Sequence, residues 1–169
     1  ITITFNETVV LTGTPQITLE TGTTDAVVNY TSGSNTTVLT FTYTVATGDT
    51  SSDLDYADTS SLALNSGTIL DLSGNAAVLT LPVPGVTNSL GANKALVVDG
   101  VVPATPTGFA ANDGNTSIIL DWTANTESDM AFYRIYGDTA ANPVIVLSTI
   151  SSASQLYTHS GLINGKTYY

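Results

Sequence analysis

The sequence contains no cysteine, a single histidine and only 3 lysine or arginine residues among 169. Without cysteine, the chain has no disulfides, iron–sulfur clusters, thiolate zinc sites or thiol nucleophiles. His159 cannot lead a metal cluster without a second histidine or a cysteine, so we expect it to be an exposed residue near a strand end. The lack of cysteine is compatible with export, but it does not fix a compartment.

Positive charge is scarce. The 3 basic residues are outnumbered by 14 aspartates and glutamates, which gives a formal net charge of −11. Such a surface repels a phosphate backbone, so we expect no nucleic-acid partner. For the same reason we expect no binding to an anionic membrane surface. Many carboxylates lack a cationic partner within the chain, which makes calcium the natural counter-charge.

Long apolar runs and helical periodicity are also missing. No apolar stretch approaches the roughly 18 residues of a membrane-spanning helix, so no membrane insertion is expected in this segment. Apolar residues instead alternate with threonine at a period of two, which predicts β-strands, and 42% of the residues are hydrophobic, enough for a core. The sequence therefore predicts an all-β fold, with strands at 1–5, 8–11, 16–20, 25–30, 36–45, 61–64, 67–70, 77–81, 91–100, 106–111, 116–123, 131–136, 144–149 and 156–159.

The strand at 36–45 is the longest of these. Its alternation places one set of side chains towards the core, namely Thr37, Leu39, Phe41, Tyr43 and Val45. Over the whole chain, the residues expected to matter most through burial are Phe5, Leu39, Phe41, Leu79, Trp122, Tyr133 and Tyr168.

Length and proline placement predict two domains. A β-sandwich takes about 100 residues, so 169 residues exceed one such domain and fall short of two. Pro103 and Pro106 favour a stiff, extended connection. We predict a first domain at 1–100, a linker at 101–105 and a second domain at 106–169.

The first domain resembles an immunoglobulin-like repeat found in tandem in very large bacterial surface and adhesin-like proteins. The likeness rests on TGTTDAVVNY at 21–30, FTYTVATGDTSSDLDY at 41–56 and SLGANKALVVD at 89–99. In that family a further strand precedes the segment equivalent to Ile1. The resemblance implies a β-sandwich that lacks its first strand here.

Residues 103–169 resemble a fibronectin type III module. The segments that carry this likeness are PTGFAA at 106–111, LDWTANTESD at 120–129, FYRIY at 132–136 and LINGKTY at 162–168. The last one matches the corner in which a tyrosine hydroxyl returns to the backbone, a role that falls to Tyr168. The resemblance implies that the module is truncated after Tyr169. We therefore expect missing strands at both ends, supplied by flanking sequence or by strand addition from a neighbouring chain.

Acidic residues in loops are the candidate metal ligands. Asp49, Asp53 and Asp55 crowd one loop, with Asp58 close by, and Asp99 sits at the predicted domain junction, where calcium stiffens comparable tandem proteins. A second group, Asp71 and Asn75, brackets a glycine turn. The alternative is that aspartate and asparagine simply form turns by bonding their own backbone.

Trp122 and the pair Glu127 and Asp129 each have a functional and a structural interpretation. Trp122 is either a sugar-stacking platform or, as its mid-strand position favours, a core residue. Glu127 and Asp129 form an acid/base pair or belong to an ordinary loop, and the resemblance favours the loop. No nucleophile elbow, phosphate loop or dinucleotide fingerprint is present, so we expect no enzyme activity.

Three functions are consistent with these features. The leading hypothesis is a structural or adhesive segment of a large secreted or cell-surface bacterial protein. Its partners would be neighbouring modules of the same or adjacent chains, and a host surface or glycan. The alternatives are a subunit of a self-assembling filament or surface layer with strand exchange, and an accessory or carbohydrate-binding module of a secreted polysaccharide-degrading enzyme.

Overall fold

The computed structural model describes residues 1–169 and divides them into two compact units, Ile1–Val102 and Pro103–Tyr169. The boundary falls within the predicted linker 101–105. Both units are built from antiparallel strands, so the all-β prediction is confirmed. None of the helical structure has the length and apolar character that crossing a bilayer requires.

The first unit contains eight strands and one short helix. Six strands form one sheet in the order β6-β2-β3-β4-β1-β7, and β5 pairs with β8. The elements are β1 (Thr2–Thr12), β2 (Gln16–Leu19), β3 (Ala26–Ser32), β4 (Thr36–Phe41), β5 (Thr50–Ser51), β6 (Leu62–Ala63), β7 (Thr68–Asp71), α1 (Leu90–Asn93) and β8 (Val98–Asp99).

The longest strand is β1 rather than the predicted 36–45. The two strands predicted at 1–5 and 8–11 are one continuous strand whose register against β4 shifts between Thr4 and Val9. Its first half pairs with β4 and its last four residues pair with β7. The interruption of the apolar alternation at residues 6 and 7 therefore marks an irregularity within a strand, not a turn.

The strand predicted at 36–45 ends at Phe41, so the expectation for its last four residues is wrong. Leu39 and Phe41 are fully buried as predicted, but Val45 is 46% exposed. Residues 42–46 leave the sheet because Asp49 accepts hydrogen bonds from both the Tyr43 hydroxyl and the Ala46 amide, which closes a turn.

The strand predicted at 77–81 is absent, and the strand predicted at 91–100 forms only over its last part. Segment 77–81 bonds its backbone to neighbours only at its ends, through Ala77 to Ile69 and Leu81 to Thr59, although Leu79 does pack on the core. Within 91–100, residues up to Asn93 belong to α1, because the Ser89 side chain caps that helix by accepting from the Ala92 amide. Only Val98–Asp99 forms a strand there.

The core of the first unit is a single apolar cluster. Its most buried members are Ile17, Leu19, Leu39, Phe41 and Ile69, and Phe5 packs against them while half-buried. The predicted core residues of this unit therefore do pack together. At roughly 25 cal/mol per Å² of apolar surface removed from water, such a cluster is the main source of stability.

The second unit contains two small sheets. One has the order β13-β10-β9 and the other pairs β11 with β12. The strands are β9 (Thr107–Gly114), β10 (Ser117–Thr123), β11 (Phe132–Tyr136), β12 (Val146–Ser151) and β13 (Leu156–Ser160). Its buried core is much smaller, with Trp122, Tyr133 and Ile135 at its centre, and the predicted core residue Tyr168 is half-buried.

Candidate functional sites

Asp49 closes a turn in the first unit. Its Oδ2 atom accepts hydrogen bonds from the Tyr43 hydroxyl at 2.6 Å and from the Ala46 amide at 2.8 Å. Burial, together with the bond to Asp49, raises the pKa of Tyr43 to about 12. The hydrogen bond from the Tyr43 hydroxyl and, to a smaller extent, the one from the Ala46 amide hold the pKa of Asp49 below its usual value.

Asp53 and Asp99 are less constrained. An Asp53 oxygen accepts a hydrogen bond from the Leu96 amide at 3.3 Å, and an Asp99 oxygen accepts one from the Val101 amide at 3.0 Å. The backbone of Asp99 pairs with Thr50 in the β5–β8 ladder. Both side chains lie on the surface.

Asp55 is buried, with 8% of its surface exposed. Its Oδ1 accepts from the amides of Tyr56 and Leu90, and its Oδ2 accepts from the amide of Gly85, at 2.9 to 3.1 Å. Burial opposes ionisation, but hydrogen bonds from the Gly85 amide, the Ser89 hydroxyl and further amides outweigh it and hold the pKa of Asp55 below its usual value. Asp55 therefore fastens the 85–90 segment to the 53–56 segment.

The structure brings two of the four predicted calcium ligands towards one point. A Cβ atom built on Gly91 would lie 3.1 Å from Asp55 Oδ2 and 3.6 Å from Asp53 Oδ2. No group of three or more acidic or histidine side chains is arranged to hold a metal ion. Since Asp49 and Asp55 already accept several protein hydrogen bonds, their free lone pairs are few. Calcium binding stays a prediction, which a comparison of Tm in EDTA and in millimolar CaCl₂ would decide.

The other acidic candidates make local turns. Asp58 accepts hydrogen bonds from the amide and hydroxyl of Ser60, which lower its pKa. Asp71 accepts from the side chain and amide of Asn75 and from the Ser73 amide, and its pKa is lowered chiefly by Asn75. These are the side-chain-to-backbone bonds that favour aspartate in turns.

Trp122 lies in the core of the second unit, as its mid-strand position predicts. It is 7% exposed and meets the ring of Tyr133 edge-on, with the centroids 5.2 Å apart. Its indole Nε1 is buried without a hydrogen-bond partner. A buried ring offers no stacking face to a sugar.

Glu127 belongs to a loop network rather than to a pair with Asp129. Its Oε1 accepts a hydrogen bond from the Ala104 amide, which is the main reason that its pKa is lowered, and another from Asn125. Asn125 in turn bonds the Tyr133 hydroxyl. No hydrogen bond joins Glu127 to Asp129, so the structure does not assemble the acid/base pair.

His159 is half-buried, which corrects the expectation of an exposed residue. Its ring stacks on Tyr157 at 6.1 Å between centroids and meets Tyr168 edge-on at 6.4 Å. The pairing of β13 with β10 turns this side of the strand inward. The histidine lines a cavity that the sequence analysis did not identify.

Both units contain partly apolar cavities. In the first unit, about 780 Å³ lies between the start of β1, residues 78–82 and the region around α1. In the second unit, about 440 Å³ lies between the two small sheets. Phe109 of β9 and Ile118 and Leu120 of β10 line this second cavity, and the alternation of apolar residues in these strands is the sequence signal for that wall.

Comparison with known proteins gave no family, curated relative or solved structure that matches this chain.

Proposed function

We propose that this chain is a non-catalytic structural or adhesive segment of a large secreted or cell-surface bacterial protein. In this proposal the first unit is an immunoglobulin-like β-sandwich and the second is a fibronectin type III-like module. The observation that carries it is the strand arrangement of the second unit. Strands β9, β10 and β13 share one sheet while β11 lies in the other, and immunoglobulin-type sandwiches likewise keep their first, second and fifth strands together and their third apart.

A tyrosine corner supports the same assignment. The Ile163 amide donates a hydrogen bond to the Tyr168 hydroxyl at 3.1 Å, five residues upstream of that tyrosine. In sandwiches of this type, such a bond fixes the crossing between the two sheets. This is the role that the sequence resemblance implies for Tyr168.

The hydrogen bonds that the candidate acidic groups accept support a structural role. The candidate groups for chemistry, Asp49, Asp55 and Glu127, each accept hydrogen bonds that hold a loop in place. Substituting them is therefore expected to change stability first. The acidic surface, with a net charge of −11, keeps such segments soluble and apart from one another.

Surface labelling of intact cells tests this proposal. Antibodies raised against the folded chain should label unpermeabilised source cells, and brief protease treatment of those cells should remove the label. Labelling that requires permeabilised cells would contradict a surface role. A cytosolic protein probed on the same cells is the control for intact membranes.

Two alternatives are a subunit of a filament or surface layer that exchanges strands and an accessory module of a secreted polysaccharide-degrading enzyme. The accessory-module alternative has less support, because the chain's one tryptophan is buried. A hydrolase domain in the flanking sequence would favour that alternative instead.

A further inference from the structure

The chain enters the second unit through residues 103–106, the entry segment, which has few backbone donors of its own. Its two prolines have no amide hydrogen, so Ala104 and Thr105 supply its only amides. The ladder between β9 and β10 reaches only to Thr107, and the entry segment belongs to no strand. Contacts that fix the entry segment must therefore come from side chains.

Two side chains of the loop between β10 and β11 hold Ala104 from both sides. The Ala104 amide donates to Oε1 of Glu127, and the Ala104 carbonyl accepts from the side-chain amide of Asn125 at 2.7 Å. The same Asn125 nitrogen lies 3.5 Å from Glu127 Oε1, which closes a triangle of hydrogen bonds. The bond from Ala104 to the carboxylate is the strongest of these, because its acceptor is ionised.

The loop that holds Ala104 is itself fixed to the core. The Asn125 backbone amide donates to the Tyr133 hydroxyl at 2.9 Å, and that hydroxyl donates to Asn125 Oδ1 at 3.2 Å. Tyr133 is buried and packs edge-on against Trp122. Ala104 is therefore fastened to the core of the second unit through this one loop.

The hold on Ala104 depends on the charge of Glu127. Oε2 of this residue is buried without a hydrogen-bond partner, so the carboxylate holds Ala104 through Oε1 alone. The bond from the Ala104 amide is the main reason that the pKa of Glu127 lies below its usual value. A neutral acid is a weaker acceptor than a carboxylate, so protonation weakens this hold.

No other titratable group accounts for this charge dependence. Hydrogen bonds, and not a neighbouring charge, lower the pKa of Glu127. The entry segment has no titratable side chain, and Asp129, the other acid of the loop, is exposed. On the adjoining strands, Asp121 accepts from an amide of β9, Arg134 lies over an aromatic ring, and the Tyr133 hydroxyl bonds within the loop.

We propose that Glu127 is a latch for the entry segment: with Asn125 it holds Ala104 against the loop, and loss of its charge or side chain frees residues 103–106 while the strands of the second unit stay folded. The strands stay folded because neither the β9–β10 ladder nor the core cluster includes Glu127. Glu127 is thus a positioning residue. This inference goes beyond the proposed function and does not rest on it.

The latch sets how much of the connection between the two units is free. At the end of the first unit, the Gly100 amide donates to the Asp49 carbonyl at 2.7 Å, and the Gly100 carbonyl accepts from the Gly48 amide at 2.9 Å. With the latch closed, Val101–Pro103 separate Gly100 from Ala104, the next fastened residue. With the latch open, the free stretch extends to the start of β9.

Hydrogen exchange of the Ala104 amide in the ¹⁵N-labelled full chain tests the latch. At pH 7 this amide should exchange at least about tenfold more slowly than an unbonded amide, as a bond to a charged acceptor implies. Glu127→Ala should remove the protection, and ¹⁵N relaxation should show greater motion of Ala104 and Thr105 on the picosecond-to-nanosecond timescale. Glu127→Gln keeps an acceptor oxygen without the charge and should retain part of the protection.

Asp129→Ala is the matched control. Asp129 lies in the same loop as Glu127 and is exposed. Its substitution should leave the exchange rate of the Ala104 amide within about twofold of the parent value, as for an ordinary surface position. The fluorescence of Trp122, the chain's one tryptophan, should show a cooperative urea transition in every variant, which checks that the second unit is folded.

A pH titration of the parent chain tests the charge dependence without any substitution. Because the folded pKa of Glu127 is lowered, the bond is present above that pKa and is lost as the pH falls through it. The Ala104 amide resonance should therefore move in a single step at acid pH, and the motion of Thr105 should increase over the same step.

Three results would overturn the proposal. The first is equal protection of the Ala104 amide in the parent chain and in Glu127→Ala. The second is an Ala104 amide resonance that does not titrate at acid pH in the parent chain. The third is loss of the cooperative fluorescence transition in Glu127→Ala and Glu127→Gln, which would mean that the strands of the second unit need Glu127 in order to fold.

Discussion

Asp55 is a buried carboxylate that is stabilised by amides and a hydroxyl rather than by a cation. Because its folded pKa lies below the unfolded value, its contribution to stability is present above the unfolded pKa and is lost as the pH falls through the folded pKa. Asp55→Asn removes the charge and turns a donor group towards at least one amide. We expect the free energy of unfolding at pH 7 to fall by about 1–3 kcal/mol, and its dependence on pH between about 5 and 2 to become shallower. Urea unfolding across that pH range measures both effects.

Asp53→Asn is the matched control for this prediction. Asp53 lies two residues away, is exposed and accepts one long hydrogen bond. Its substitution should leave the free energy of unfolding within about 0.5 kcal/mol of the parent value. If both variants lost the same stability, the charge of the loop, and not the hydrogen bonds of Asp55, would be responsible.

The hairpin that joins β3 to β4 depends on a glycine. Gly33 has a φ of +115°, and a Cβ atom there would lie 2.0 Å from the Val38 carbonyl oxygen. Gly33→Ala therefore adds a backbone clash to an unfavourable φ, and we expect a loss of about 3 kcal/mol or more. Thermal unfolding followed by circular dichroism measures this loss.

The variant Gly74→Ala separates the effect of the unfavourable φ from the effect of the backbone clash. Gly74 also has a positive φ, +87°, but a Cβ atom there meets nothing within 4 Å. Only the conformational penalty of about 1–2 kcal/mol should appear. Equal losses in the two variants would mean that the hairpin yields to the added methyl group, and that the clash at Gly33 contributes nothing.

Within individual strands, the alternation of apolar and polar residues predicts which side chains point inward better than it predicts which segments pair into a sheet. Leu39, Phe41 and Trp122 are buried as the pattern indicates, and Leu79 faces the core although its segment forms no ladder. Pairing depends on neighbours distant in sequence, which a period of two does not encode. The turn at Asp49 and the cap at Ser89 override the strand pattern through individual hydrogen bonds.

For the candidate sites too, the sequence does not predict which distant segments come into contact. The sequence places Asp49, Asp53 and Asp55 in one loop, but it does not show that the Gly85 and Leu90 amides, some 30 residues further on, bind Asp55. It likewise identifies Tyr168 from a motif, but it does not show that the His159 ring lies between Tyr157 and Tyr168, because that depends on how β13 pairs with β10. Contacts between segments far apart in sequence therefore decide the roles of these residues.

For the whole molecule, the two separate cores predict two unfolding transitions. Leu39 is fully buried in the core cluster of the first unit, and Trp122, the chain's one tryptophan, lies in that of the second. Leu39→Ala should destabilise the first unit by about 2–5 kcal/mol, since it leaves a cavity in a packed core. Tryptophan fluorescence should then keep its parent transition, while the circular dichroism transition of the first unit moves to lower urea. Ile135→Ala, in the second core, should produce the reverse pattern. A fluorescence transition that follows Leu39→Ala would mean that the two units unfold as one cooperative body.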